Sequence, residues 1–255
     1  MKQLIKNSNN EDLCIEIFAP NATITQTKLA IICHGITGYK EQDVIIKTAE
    51  TLQDVGYTVI TFDCRNSRGE SYNNGHCGTT TSMFEDLSTV IDWAKTQTFY
   101  TPTFLLVGHS LGGSVVLRYT QKYPQLVNRL ILISTIFDGD ELYNNTAKFS
   151  PEFMRQLQNG GIIRSRNNVD CFLDETYIKD LQQYDFYKNI QNYTMPTLVI
   201  TGDKDTASLP ENNRRFYEAL KCRKELHIFA NCSHIYDTKQ NQLDLSNKIE
   251  NFLTS

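Results

Sequence analysis

Residues 103–113 read TFLLVGHSLGG, and this stretch decides how the rest of the chain is interpreted. Its first part, residues 103–107, is a continuous apolar run typical of a strand buried on both faces. A helical pattern follows over residues 111–122, so Ser110 lies on a tight turn between a strand and a helix. In the G-x-S-x-G motif, glycines two residues before and after the serine relieve the crowding of a strained turn. The pattern therefore predicts a nucleophilic Ser110.

The placement of Ser110 supports that prediction. A hydroxyl at the N-terminus of a helix is near N–H groups and a dipole that favour developing negative charge. The alternative is a glycine-rich turn that binds phosphate or only packs. Neither G-x-G-x-x-G nor G-x-x-x-x-G-K occurs in the chain, which disfavours that alternative.

Short β-rich runs alternate with longer helical ones along the chain. The pattern predicts strands at residues 28–33, 57–62, 103–107, 130–134, 197–201 and 225–229, and helices at 42–55, 83–95, 111–122, 211–220 and 243–253. Residues 4–7 and 13–18 flank a polar turn and predict an opening hairpin. This alternation predicts an α/β fold with a mostly parallel central sheet and helices on both faces.

The alternation is interrupted between residues 136 and 194. The segment has no buried-strand run, contains Gly160-Gly161 and is rich in Asn, Asp and Tyr. We interpret residues 1–255 as a single domain with a cap, or lid, inserted at about 136–194. Both ends of the cap are expected at the carboxyl edge of the sheet, above Ser110. Its aromatic side chains are numerous enough to line an apolar acyl or aryl site.

Composition excludes several other classes of protein. The 255 residues are 40% hydrophobic and 21% charged, which is typical of a globular chain and not of a disordered one. The net charge is −4 and no Lys/Arg run occurs, so no nucleic-acid partner is expected. No apolar stretch reaches the roughly 18 residues of a membrane span. The polar start lacks the apolar core of a signal peptide.

The cysteines indicate a reducing compartment. The seven are scattered, odd in number and without a C-x-x-C pair, namely Cys14, Cys33, Cys64, Cys77, Cys171, Cys222 and Cys232. This distribution predicts reduced thiols and a cytoplasmic location. The pairs His76-Cys77 and Cys232-Ser233-His234 lack the ligand spacing of structural zinc sites, so no metal is expected.

His234 is the predicted base for Ser110. Of the five histidines, His227 lies inside a predicted strand and His109 lies within the turn, where its side chain would point away from Ser110. His234 follows the last strand in a loop, where parallel sheets place reactive groups. The alternative for His234 is a solvated loop histidine.

A carboxylate and two amides complete the predicted site. The loop Gly202-Asp203-Lys204-Asp205 follows a predicted strand, and we prefer Asp205 as the partner of the base; Asp203 would instead bond the turn. The segment HGITG, residues 34–38, also follows a buried strand. Its glycines would let the backbone approach a substrate carbonyl. The N–H groups of Ile36 and Leu111 could then both donate to the carbonyl oxygen.

With these segments together, the chain resembles the α/β-hydrolase superfamily over essentially its whole length. HGITG followed by Tyr39-Lys40, GHSLGG, TLVITGDKD and the late His234 are similar to segments of the cinnamoyl/feruloyl esterases and monoacylglycerol-lipase-like serine hydrolases. The resemblance implies Ser110, His234 and Asp205 as the catalytic triad, with oxyanion-hole amides from Ile36 and Leu111. The chain order of the triad is also that of α/β-hydrolases.

The resemblance has one departure. Residues 63–71 read DCRNSRGES where the family has D-x-x-G-x-G-x-S, so this loop is one residue longer and lacks the first glycine. The loop borders the pocket in relatives.

These observations lead to two functional hypotheses. The first is a carboxylesterase that forms an acyl-enzyme on small to medium acyl or aryl esters and requires no cofactor. Thioesterase, amidase or acyltransferase chemistry would use the same residues. The second is a non-catalytic ligand-binding protein on the same fold, which is disfavoured because all members of the predicted triad are present. The natural substrate and the oligomeric state are left open.

Overall fold

The computed structural model of the chain describes residues 1–20 and 28–254. The described residues form these strands, in chain order: β1 (Lys2–Lys6), β2 (Asp12–Phe18), β3 (Leu29–Cys33), β4 (Thr58–Phe62), β5 (Phe104–His109), β6 (Val127–Ile133), β7 (Ile162–Arg166), β8 (Val169–Leu173), β9 (Thr197–Gly202) and β10 (Lys224–Phe229). Eight of them make one sheet in the order β1-β2-β4-β3-β5-β6-β9-β10. The strands from β4 to β10 in that order are parallel, and β1 and β2 are antiparallel to their neighbours.

The helices are α1 (Asp43–Asp54), α2 (Thr80–Ala94), α3 (Leu111–Lys122), α4 (Gly139–Phe149), α5 (Pro151–Gln158), α6 (Thr176–Leu181), α7 (Pro210–Ala219) and α8 (Lys239–Thr254). They cover the sheet on both faces. Ile31 and Leu106 pack with residues of α2 and α3, whereas Ile32 and Val107 pack with residues of α1 and α8. The predicted α/β fold class is confirmed.

Most element boundaries fall within a few residues of the prediction, and α2 shows why some do not. The apolar stripe predicts a start at residue 83, but the helix begins at Thr80. Thr79 and Ser82 form a capping box, in which each side chain accepts a hydrogen bond from the backbone N–H of the other. A capping box is polar, so the hydrophobic pattern does not detect the first turn.

The segment between β6 and β9 contains α4, α5, the hairpin β7–β8 and α6. It leaves the carboxyl end of β6 but returns at Pro196, whose carbonyl accepts the N–H of Leu130 near the start of β6. The prediction that both ends of this segment lie at the carboxyl edge is therefore wrong. Because β6 and β9 are parallel, the chain must cross to the amino edge before β9 begins.

Two of the cysteines are joined. Cys77, before α2, and Cys171, on β8, form a disulfide with 5.0 Å between their Cα atoms and a sequence separation of 94 residues. The expectation of reduced thiols is wrong for this pair, because folding brings distant positions together without a local spacing motif. The cysteines at 14, 33, 64, 222 and 232 are free. A cytoplasmic location stays a prediction.

In residues 1–20 and 28–254, every helix is too short or too polar to span a bilayer.

Candidate active site

Ser110 lies on a strained turn between β5 and α3. Its backbone has φ 56° and ψ −125°, a conformation that side-chain-bearing residues rarely adopt. Gly108 and Gly112 make room for the turn: a Cβ on Gly108 would lie 2.4 Å from the carbonyl oxygen of Gly112. A Cβ on Gly112 would lie 2.3 Å from the carbonyl oxygen of Cys33 on the neighbouring strand. The two motif glycines are therefore required by close backbone packing.

The structure brings together the serine, the histidine and one of the two candidate acids. The Ser110 Oγ–H donates to His234 Nε2 at 2.9 Å, and His234 Nδ1–H donates to Asp205 Oδ2 at 2.8 Å. Asp205 is buried and its other oxygen accepts the backbone N–H groups of Ala207 and Ser208, at 3.0 and 2.8 Å. These contacts hold the carboxylate in one orientation.

Asp203 has a different role in the turn. Its Oδ1 accepts the backbone N–H of Cys232 at 3.2 Å, which ties the loop after β9 to the loop after β10. Asp205 is thus the acid that contacts the imidazole.

The charge of Asp205 is stabilised in place. Burial by itself would raise the pKa of this carboxyl, but the His234 imidazole and the hydrogen bonds from His234 and Ser208 hold the pKa below its ordinary value. The carboxylate therefore stays ionised and favours the imidazole tautomer with a proton on Nδ1, which leaves Nε2 free to accept the serine proton.

Ile36 and Leu111 both line the cavity beside Ser110. Among the described residues, no group accepts a hydrogen bond from the backbone N–H of either residue. Two free amides that line the same cavity as a serine hydroxyl are the arrangement that could stabilise an oxyanion.

The other histidines have structural partners. His34 is buried, its Nδ1–H donates to the Gly35 carbonyl at 2.7 Å, and its Nε2 accepts the N–H of Cys64 at 3.0 Å. His227 lies on β10. His76 makes an edge-on ring contact with Phe172. His109 is buried against the loop of His234.

A cavity of about 320 Å³ opens over Ser110 and His234. Many of its lining residues come from the segment 136–194, namely Ile136, Leu142, Thr146, Ser150, Phe153, Arg164, Leu173 and Tyr177. Of the aromatic residues of this segment, only Phe153 and Tyr177 are among the cavity-lining residues that the structure describes. Others, such as Tyr187 and Tyr193, pack against Phe216 of α7. The part of the cavity wall that this segment supplies is thus mainly aliphatic and polar.

Asp63 holds the unusual loop that follows β4. Its carboxylate accepts the backbone N–H groups of Lys40 and Glu70 at 2.7 and 2.9 Å. The buried Lys40 ammonium contacts both Asp63 and Glu70. Cys14, Asp63 and Glu70 lie close enough together to suggest a cation site, but this ammonium already supplies the cation.

Sequence reasoning did not single out several residues of the cavity wall, and two of these are arginines, Arg68 and Arg164. Arg68 lies in the loop that departs from the family motif. Arg164 lies on β7, whose hairpin turns at Asn167 and Asn168 with φ of 50° and 64°. An Asn-Asn pair between two short β-rich runs is a hairpin signal that could have revealed β7 and β8.

A sequence model of the family described as alpha/beta hydrolase fold matches residues 29–167, which is more than half of the chain. The chain therefore belongs to the α/β-hydrolase family. A second model, described as PhoPQ-activated pathogenicity-related protein, matches residues 164–255.

Two individual proteins are similar to this chain over most of its length. The chain is 25% identical over 276 residues to proline iminopeptidase PfmaB of Pestalotiopsis fici, covering 92% of this chain and 94% of that protein. The structure of Est1E from Butyrivibrio proteoclasticus with ferulic acid bound superposes with a TM-score of 0.79 at 23% identity, covering 99% of this chain and 98% of that one.

A third relative lacks a cap. XC6422 from Xanthomonas campestris, described as a serine hydrolase without lid, has a TM-score of 0.67 at 19% identity, covering 100% of this chain and 93% of that one.

Proposed function

We propose that the protein hydrolyses carboxylic esters through an acyl-enzyme on Ser110. The observation that carries this proposal is the continuous set of hydrogen bonds from Ser110 through His234 to Asp205, with distances of 2.9 and 2.8 Å. Two unpartnered amides lie at the same cavity. A binding protein would need neither feature.

The reaction would proceed in two halves. In the first, His234 Nε2 takes the proton of Ser110 while Oγ bonds to the ester carbonyl carbon, and the Ile36 and Leu111 amides stabilise the oxyanion. The protonated imidazole then gives that proton to the leaving alcohol as the ester C–O bond breaks. In the second half, His234 deprotonates water, which attacks the acyl-enzyme and releases the acid and a restored Ser110.

We also propose that residues 136–194 act as a cap that selects substrates. The segment supplies much of the cavity wall, including Leu142, Phe153 and Tyr177. A wall of this kind excludes water and limits the size of the acyl or aryl group.

Labelling with a fluorophosphonate and hydrolysis of 4-nitrophenyl esters of differing acyl chains would test the proposal. We expect the wild-type protein to be labelled at Ser110 and to hydrolyse at least one ester. Ser110→Ala should lose both properties while keeping its melting temperature, because this hydroxyl contributes little packing. A wild-type protein that is neither labelled nor active would overturn the proposal.

Peptidase activity is the second candidate, because the curated relative is named as a proline iminopeptidase. An aminopeptidase must bind a cationic amino terminus. The cavity wall carries two arginines and, among the described residues, no Asp or Glu lines it. Such a wall repels a cation, so we expect proline 4-nitroanilide to be cleaved far more slowly than the best ester.

A further inference from the structure

The cavity over Ser110 has two guanidinium groups in its wall, those of Arg68 and Arg164. They come from separate segments: Arg68 lies in the loop after β4 and donates to the Ser165 carbonyl at 3.5 Å, and Arg164 lies beside Ser165 on β7. The chain as a whole carries a net charge of −4, so two cations in the wall of the cavity that Ser110 also lines run against its overall charge. Their presence there requires an explanation.

Within residues 1–20 and 28–254, no carboxylate pairs with either arginine. Arg68 is half-buried, its Nε–H donates to the Thr37 carbonyl at 2.5 Å, and no acidic side chain among the described residues pairs with it. Arg164 lies over the ring of Phe153 at 5.2 Å and likewise has no acidic partner in the described residues.

Neighbouring arginines show the contrast. Arg65, in the same loop as Arg68, contacts Glu11, Glu85 and Asp86. Arg166, two residues after Arg164 on the same strand, pairs with Glu41 at 2.7 Å. In each of these two stretches, the arginine outside the cavity lining has a carboxylate partner, whereas among the described residues the arginine that lines the cavity has none.

The unpaired charge of the half-buried Arg68 has an energetic cost, whereas Arg164 is exposed to solvent. Burial lowers the pKa of the Arg68 guanidinium, and the positive charges of Arg164 and Arg166 lower it further. An anion bound by both guanidinium groups would offset the desolvation of Arg68 and its repulsion with Arg164. Guanidinium groups bind carboxylates and phosphates through paired N–H donors.

We propose that Arg68 and Arg164 form a subsite for a negatively charged group on the substrate, so that the preferred esters are anionic. This inference rests on the proposed ester hydrolysis and adds the charge class of its substrate. The anion, a carboxylate being the simplest example, could be on the acyl side or on the alcohol side of the ester bond. The shared requirement is a negative charge held in the cavity while the ester carbonyl is next to Ser110.

Matched pairs of rigid esters would test this subsite. On the acyl side, mono-4-nitrophenyl terephthalate would be compared with 4-nitrophenyl 4-carbamoylbenzoate, which replaces the carboxylate by a neutral amide of similar shape. On the alcohol side, 4-(butyryloxy)benzoate would be compared with 4-(butyryloxy)benzamide. The para arrangement prevents the carboxylate from attacking its own ester, and comparison with the arginine variants shows which part of any preference comes from the protein.

The quantity measured is the ratio of kcat/KM for the anionic ester to that for its neutral partner. We expect a ratio of about ten or more for at least one pair in the wild-type protein, and a fall to near one in Arg164→Gln. Arg68→Lys should lower the ratio less, because it keeps the charge but loses the paired donors. Arg155→Gln removes an exposed arginine of α5 that pairs with Glu152, outside the cavity lining, and should keep the wild-type ratio.

A binding measurement separates this inference from the proposed chemistry. Calorimetry with the Ser110→Ala variant gives the Kd of the same esters without turnover. Tighter binding of an anionic ester that depends on Arg164 would support the subsite even if the wild-type protein hydrolysed nothing. Equal Kd values within both pairs, or an anion preference that Arg164→Gln retains, would show that the two arginines are not a substrate subsite.

Discussion

The Nε2–H of His109 donates a hydrogen bond to the backbone carbonyl of His234 at 2.9 Å. This bond joins the residue before the proposed nucleophile to the backbone of the proposed base, and the two imidazole rings lie 5.1 Å apart. A carbonyl oxygen can only accept, so the proton of His109 must be on Nε2. His109 therefore positions the loop that holds His234, without contacting the reacting atoms.

The buried position of His109 should make the free energy of unfolding depend on pH. Burial, together with the charge of a protonated His234, lowers the pKa of His109 to about 3. Its Nδ1 is buried and has no hydrogen-bond partner within the described residues. A second proton on the ring would therefore have no acceptor. An unfolded histidine has a pKa of about 6.5, so below that pH the unfolded chain binds a proton that the folded chain does not.

The free energy of unfolding should consequently fall as the pH drops from about 6.5 towards 3, by about 2–3 kcal/mol at pH 4.5 for this one group. His109→Gln keeps a donor for the His234 carbonyl but cannot be protonated. We expect urea unfolding of this variant to lose about 2–3 kcal/mol less between pH 7 and pH 4.5 than the wild-type protein. Identical pH dependence in the two proteins would show that His109 is not buried in its neutral form.

The two acids after β9 should differ in their effect on catalysis. Asp205→Asn removes the charge that orients and stabilises the His234 imidazole, and we expect kcat for the best ester to fall by about a thousandfold or more. Asp203→Asn keeps an oxygen that can accept the Cys232 N–H, so its kcat should change by less than about tenfold. Steady-state kinetics of both variants would check this. A larger loss in Asp203→Asn would mean that the carboxylate partner was assigned to the wrong residue.

Phe153 should influence which esters are preferred. Its ring lines the cavity, whereas Phe149 belongs to the same segment and is 43% exposed without being among the lining residues. We expect Phe153→Ala to change kcat/KM for long or aryl acyl groups by about tenfold relative to an acetate ester. The matched Phe149→Ala should leave that relative order unchanged. If both variants slow all esters equally, the proposed cap does not determine specificity.

The Cys77–Cys171 bond should be detectable in the isolated protein and should contribute to its stability. Thiol titration of the unfolded, unreduced protein should find five reactive thiols, rising to seven after reduction. Cys171→Ser should lower the free energy of unfolding by about 2–4 kcal/mol, because the bond closes a long loop.

Cys222→Ser, which changes a half-exposed free cysteine, should have a much smaller effect and is the control. Seven reactive thiols in protein that was never exposed to a reductant would show that the bond does not form.

Periodicity and local motifs in the sequence were enough to predict the sheet, most of its helices and the turn at Ser110. These features are encoded locally: a buried parallel strand must be apolar throughout, as in β3 and β5, and a strained turn requires small residues such as Gly108 and Gly112. Chemical reasoning also identified His234 and Asp205 as candidates, because the loops after parallel strands meet at one edge of the sheet.

Only the tertiary structure decided which distant groups come together. The sequence favoured Asp205 over Asp203, but only the structure shows that Asp205 contacts His234 while Asp203 accepts the N–H of Cys232. It joined Cys77 to Cys171, and it placed Arg68 and Arg164 in the wall of the same cavity. Each of these contacts connects elements far apart in the chain, whose relative positions depend on the packing of the whole sheet and not on any local pattern.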